Sequence, residues 1–332
     1  MKILVTGASG HLGANLVRRL LKDGQLVRVL LRSESNNEAV QNLDVEKYYG
    51  DLRDENAILE ATQGCNHVYH CGARISTQNG NSRFLKRIYD CNVMGTIHVL
   101  RAARKYSVSR VVVTSSDSAV GYDPPNTADE NSPVYPFFPF FPYGTTKVCV
   151  EHECLKAFAD GLDVVIATCC AIVGPNDFKP SRVGQTLLDF ANGKLPAYIP
   201  GDFEFLSIND AVTGHLLAME KGRAGQKYIF STEVLTVEQL MDIFEKLTGR
   251  KRPRLRLSPS VMGQIAKVGD FVYPCVFPNS SRRFTSTAVR LLQMNRRVDI
   301  SKAKNELGYE PTSVANAISD AYKCFVKRGL IQ

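Results

Sequence analysis

The stretch Lys2-Ile3-Leu4-Val5-Thr6-Gly7-Ala8-Ser9-Gly10-His11-Leu12-Gly13-Ala14-Asn15-Leu16-Val17 decides the fold. An apolar run of strand length ends in a glycine-rich turn, and apolar residues then recur at helical spacing. Glycines at 7, 10 and 13 allow a tight turn, close approach of backbone to a pyrophosphate, and close packing of helix on strand. The helix that opens there aims its free amide hydrogens at such a negative charge. The spacing is G-x-x-G-x-x-G rather than G-x-G-x-x-G, so the strand before and the helix after carry the dinucleotide reading more than the glycines alone.

Outward from that turn, β-branched runs at 26–31, 46–49, 67–70, 110–114 and 164–168 read as strands, and apolar spacing at 13–22, 54–62, 84–106 and 143–159 reads as helix. Each strand is then followed by a crossover helix, which makes the sheet parallel. The expected fold class is α/β: a Rossmann-type doubly wound parallel sheet with a smaller mixed C-terminal substrate lobe. After Gly174-Pro175 the alternation weakens, and a helix over 211–221 with a strand over 228–230 reads as a return to the sheet. A dinucleotide-binding domain is therefore expected over 1–174 with a return segment near 203–232, and a substrate lobe over 175–202 and 233–332.

With 332 residues, 44% hydrophobic and 22% charged, the chain is no disordered, collagen-like or coiled-coil protein. Its apolar runs are strand-sized, and nothing of signal-peptide length follows Met1, so the cytoplasm is the expected compartment. Nine cysteines form no Cys-x-x-Cys pair, which leaves no disulfide framework or metal site to expect. The net charge of +8 is concentrated late: residues 250–332 hold 16 basic and five acidic side chains. The run Arg250-Lys251-Arg252-Pro253-Arg254-Leu255-Arg256, followed by an apolar segment over 261–277, suits a solvated surface, an anionic substrate carrier or peripheral contact with a membrane. No nucleic-acid motif accompanies it, so nucleic acid is not an expected partner.

At the end of the second strand an NAD-binding protein usually offers an acidic residue to the ribose; here stands Arg32. A guanidinium fork suits a 2′-phosphate, which favours NADP(H) over NAD(H), with Glu34 and Asn36 as rival readers of the ribose. Asp51, in Gly50-Asp51-Leu52-Arg53-Asp54, can accept from the adenine amino group or cap the helix beginning at 54.

The chemical signal is Tyr143-Gly144-Thr145-Thr146-Lys147. Spacing of i and i+4 puts phenol and ammonium on one helical face, and the cation is expected to lower the phenol toward the range of a working acid or base. Ser116 ends a strand at the carboxyl edge of the sheet, where it can donate to a substrate oxygen; Ser115 and Ser118 are its rivals. Ahead of Tyr143, the loop carrying Phe137, Phe138, Phe140 and Phe141 either packs down as a lid or lines an apolar pocket.

Together with His70-Cys71-Gly72-Ala73, Asn92-Val93-Met94-Gly95-Thr96, Val173-Gly174-Pro175 and the run from Phe205 to Ala211, these residues resemble the extended short-chain dehydrogenase/reductase family over nearly the whole chain. The resemblance implies that Tyr143 is the proton donor, that Lys147 holds the nicotinamide ribose, and that Ser116 positions the substrate carbonyl. It further implies cofactor contacts at Gly7, Ser9, Gly10, His11, Leu12, Gly13, Arg32, Asp51, Leu52, Cys71, Gly72, Ala73, Asn92, Thr114, Ala171 and Val173, and substrate contacts at Ser116, Ser118, Phe138, Phe141 and Phe178. Sugar epimerases of the family carry an arginine where this chain has Phe203, and dehydratases carry a glutamate where it has Ser118. Those departures leave a resemblance to the dihydroflavonol-reductase and 3β-hydroxysteroid-dehydrogenase-like branch, while 174–180 and 189–198 resemble hopanoid-associated epimerases. The expected activity is NADPH-dependent reduction of a ketone or aldehyde on a largely apolar small molecule. The alternatives are a nucleotide-sugar epimerase or dehydratase using NAD and a non-catalytic NADP(H)-sensing protein. The resemblance implies a homodimer formed on the helices at 84–106 and 143–159, with a monomer as the alternative.

Overall fold

The computed structural model describes residues 1–78, 80–121, 126–134, 141–266 and 285–331. Seven strands form the main sheet: β1 (Lys2–Thr6), β2 (Leu26–Leu31), β3 (Glu46–Tyr49), β4 (His67–His70), β5 (Arg110–Ser116), β6 (Val164–Cys169) and β10 (Lys227–Phe230). Their order is β10-β6-β5-β4-β1-β2-β3, parallel throughout. Helices α1 (His11–Lys22) and α7 (Ile208–Lys221) cover one face, and α2 (Glu55–Thr62), α4 (Gly95–Lys105) and α5 (Pro142–Ala159) the other. Because successive strand side chains alternate, Ile3, Val5, Val29 and Val112 pack under α1 and α7, whereas Leu4, Leu30, Val111 and Val113 pack under α2, α4 and α5. Burying both faces is what turns these strands into near-continuous apolar runs in the sequence.

A smaller mixed sheet joins β7 (Ala171–Val173), β9 (Asp202–Ser207) and β11 (Glu233–Thr236): β7 pairs parallel and β11 antiparallel with β9. Around it lie α6 (Arg182–Ala191), α8 (Val237–Thr248) and α11 (Val314–Lys327), which share its apolar core. A short parallel ladder pairs β8 (Ala197–Tyr198) with β12 (Leu255–Arg256), ahead of helical residues 259–266 (α9) and of α10 (Ser286–Leu292). Among the described residues, no helix is long and apolar enough to cross a membrane.

Two local expectations are corrected. No helix crosses from β2 to β3; a single 3-10 turn, Glu38–Val40, does so. The helix expected over 84–106 is two, α3 (Ser82–Tyr89) and α4, joined by a π-helical turn at Asp90–Met94. That turn brings Asn92 inside, where its amide donates to Thr146 Oγ1 (2.9 Å) and its oxygen accepts from the Arg74 backbone N–H (2.7 Å). The extra residue per turn is what lets the side chain reach both partners.

Candidate active site

The turn after β1 begins with Gly7 in the left-handed region at φ +71°. A Cβ there would lie 2.6 Å from the Gly72 nitrogen at the end of β4, so the close approach of the two strand ends requires glycine. Gly10 caps α1 without any side-chain hydrogen bond, which leaves the amides of the first turn open to an anion. His11 Nε2 lies 3.2 and 3.0 Å from the carbonyl oxygens of Gly174 and Pro175, and Asn15 donates to Pro175 O at 3.0 Å. These contacts seat the loop after β7 beside the glycine turn.

A cleft of two connected cavities, each about 410 Å³, follows the carboxyl ends of the strands; both are lined by Gly7, Gly10, Cys71 and Ala73. At its outer end stand Ser9, Leu52, Gly72, Asp51 and five cations: Arg32, Arg53, Arg74, Arg87 and Lys179. Asp51 is held by a bidentate pair with Arg53 (2.8 and 2.9 Å), which keeps its carboxyl below the usual range. It does not cap α2; Asp54 does, accepting from the Asn56 and Ala57 N–H groups. Glu34 and Asn36 do not line the cleft, and Asn36 instead accepts from Glu38 N. Lys179 donates to Ser9 Oγ at 2.9 Å, and burial together with the Arg32 charge depresses its ammonium. The open helix terminus, the glycine cradle and this cation cluster fit the diphosphate of a dinucleotide.

The inner cavity holds Thr114, Ser116, Ser118, Phe141, Tyr143 and Lys147 together, with His11, Leu12, Gly13 and Ala171 on its wall. Tyr143 and Lys147 are buried, and the phenol hydrogen-bonds Ser116. Ser116 Oγ donates to Asp117 Oδ1 at 2.9 Å. Lys147 Nζ donates to Thr114 O at 2.7 Å and lies 6.0 Å from the Tyr143 ring centroid. The expected lowering of the phenol by Lys147 is not what the geometry gives. Burial pushes Tyr143 up, only the Ser116 hydrogen bond opposes it, and Lys147 is itself lowered by burial. Ser115 is committed to Glu151 (2.6 Å), whereas Ser118, which lines the cavity, keeps its Oγ buried with no hydrogen-bond partner among the described residues.

Three expected residues stand apart from the cavities. Phe178 is not on the walls of the two cavities: its ring lies 5.3 and 4.6 Å from the guanidinium carbons of Arg18 and Arg328, and that cation–π packing holds it on α1. Asn92 is held in the network described above, and Val173 is buried in the apolar core of the smaller sheet. Phe138, like Phe137 and Phe140, lies outside the described residues, as does the 267–277 part of the apolar segment.

Several groups were invisible in the sequence. Lys179 arrives from a loop 170 residues beyond Ser9, and only the Gly174-Pro175 pair hinted at its place. Thr114 is oriented by His215, whose Nδ1 bonds Ala211 O (2.7 Å) and whose Nε2 accepts from Thr114 Oγ1 (2.9 Å); burial lowers this imidazole to about 4, so it stays neutral. A further apolar cavity of about 280 Å³, lined by Leu195, Ile199, Phe205, Leu240, Met241 and Leu292 among others, shares Ala171 and Phe203 with the inner one.

A model of the family described as NAD dependent epimerase/dehydratase matches residues 3–231. The chain is 44% identical over 331 residues to the sterol demethylase protein B of Methylococcus capsulatus, covering 100% of both. It is 32% identical over 335 residues to a putative dihydroflavonol 4-reductase of Synechocystis, covering 99% of this chain and 95% of that one. Among solved structures, that of gox2253 superposes with a TM-score of 0.85 at 29% identity, covering 99% of each chain.

Proposed function

Since the chain belongs to the NAD-dependent epimerase/dehydratase family, we propose that it is an NADP(H)-linked oxidoreductase interconverting a ketone and a secondary alcohol on a bulky apolar, sterol-like small molecule. One observation carries the reading: Ser116, Tyr143 and Lys147 converge where the glycine-turn cleft opens into an apolar cavity. The 44% relative named for sterol demethylation and the 32% relative named as a reductase support it, as does the second apolar cavity that shares Ala171 and Phe203 with the inner one.

The amides of residues 10–13 would hold the pyrophosphate, Lys147 the nicotinamide ribose, and Arg32 with Lys179 the 2′-phosphate. When bound, the nicotinamide supplies the two-electron transfer. The chain's own part is acid–base and positional. Tyr143 gives its phenolic proton to the substrate oxygen in the reducing direction, and Ser116 donates a hydrogen bond to that same oxygen.

Absorbance of NADPH and NADH followed against a panel of cyclic and steroidal ketones tests the reading. Turnover with NADPH is expected; release of stoichiometric tightly held NAD on denaturation, with no net reduction of any ketone, would replace it by epimerisation. The pair of changes Arg32→Ser and Lys179→Met should raise the KM for NADPH about 10- to 100-fold while leaving NADH nearly unaffected, because two charge-assisted contacts to one phosphate are lost. Equal effects on both cofactors would show that neither residue reads the phosphate.

A further inference from the structure

Helix α9 has two unlike sides. Met262 and Ala266 face inward and pack with Ile199, Val289 and Leu292, three residues that also line the second apolar cavity. Val261 and Ile265, one turn apart, are 50% and 54% exposed, and Leu255 just before them in β12 is 54% exposed. Single exposed aliphatics are ordinary, but here three stand within eleven residues of one another and beside a basic run. In that run Arg252 is paired with Asp242 and Glu245, and Arg256 with Glu238. Among the described residues no carboxylate pairs with Arg250, Lys251 or Arg254, all three of which are exposed.

We propose that β12, the basic run before it and the outer side of α9 form a docking face for an anionic lipid bilayer. The combination is specific to that partner. Aliphatic side chains enter the boundary between headgroups and acyl chains, while cations beside them meet lipid phosphates within a Debye length. A nucleic acid or an acidic protein would satisfy the cations and leave Leu255, Val261 and Ile265 in water. The face has a purpose in the fold, since its inner side roofs an apolar cavity that shares Ala171 and Phe203 with the one holding Tyr143. A docked molecule holds that cavity against the lipid phase, where an apolar substrate is concentrated. With three unpaired cations and three aliphatics, binding is reversible and falls with salt.

The full chain is to be sedimented with vesicles of phosphatidylcholine alone and of equal parts phosphatidylcholine and phosphatidylglycerol. Binding is expected to the anionic vesicles only and to weaken as salt is added. The triple change Arg250→Ser, Lys251→Ser, Arg254→Ser should lower partitioning on the order of 100-fold, and Val261→Glu with Ile265→Glu should abolish it. Neither set lines the catalytic cleft, so turnover of a water-soluble ketone and the melting temperature should stay at the wild-type values. If the glutamate pair lowers the melting temperature, the triple surface change alone decides. No binding to anionic vesicles, binding indifferent to both sets of changes, or a shift from dimer to monomer in their place would overturn the proposal, the last by making a second copy the occupant.

Discussion

Tyr143→Phe is expected to lower turnover by about 10³-fold while NADPH binding stays within a factor of two or so. The ring is buried against Phe141, with centroids 5.6 Å apart, and phenylalanine keeps that packing and the volume. What goes is one hydroxyl, which bonds Ser116 and stands in the cavity where the substrate oxygen must lie. Because burial raises the phenol rather than lowering it, the group stays protonated across the working range and serves as a proton donor in the reducing direction. Steady-state rates beside a cofactor titration check this. Turnover within tenfold of wild type would remove Tyr143 from the role of acid, and a parallel loss of cofactor binding would mean that the wall had collapsed instead.

The second large effect concerns stability. Glu151 on α5, one turn beyond Lys147, is buried and accepts from Ser115 Oγ at the end of β5 (2.6 Å) and from Lys227 Nζ on β10 (3.1 Å). Glu151→Ala leaves the Lys227 ammonium in a poorly hydrated place with no carboxylate, and breaking a buried pair on one side costs about 3–5 kcal/mol. It also removes one of the charges that oppose the lowering of Lys147 by burial. Chemical denaturation should register the loss, with Glu151→Gln retaining part of it through the Ser115 bond. A change under about 1 kcal/mol would mean that water or a neighbour replaces the carboxylate at once.

Most of the fold was legible because parallel strands buried on both faces and amphipathic helices announce themselves by period. The strand at 110–114 simply continues to Ser116, and that at 164–168 to Cys169. The π-helical turn at Asp90–Met94 was not legible, since the apolar spacing on either side continues through it and the cause, Asn92 reaching Arg74 and Thr146, is tertiary. The missing helix between β2 and β3 has a similar origin: the 3-10 turn at Glu38–Val40 suffices where Ala39 and Val40 are already buried in the core that α1 shares. At the site, Tyr143, Lys147 and Ser116 could be read off one helix and one strand end, but Phe178 misled. An aromatic in a loop near the glycine turn has no sign saying which way it points, and two guanidinium groups decided the matter.

What the chain determined by its order alone was the alternation of buried strand and crossover helix, the glycine-rich turn between the first strand and its helix, and the one-turn spacing of phenol and ammonium. These are local properties, set by backbone sterics and by side-chain period within a few residues. The gathering of Arg32, Arg53, Arg74, Arg87 and Lys179 around one mouth, the balance that raises Tyr143, and the placing of Phe203 on the walls of both apolar cavities belong to the tertiary structure. Each depends on desolvation or on distances between segments far apart in the chain, and neither quantity is defined until the chain has closed on itself.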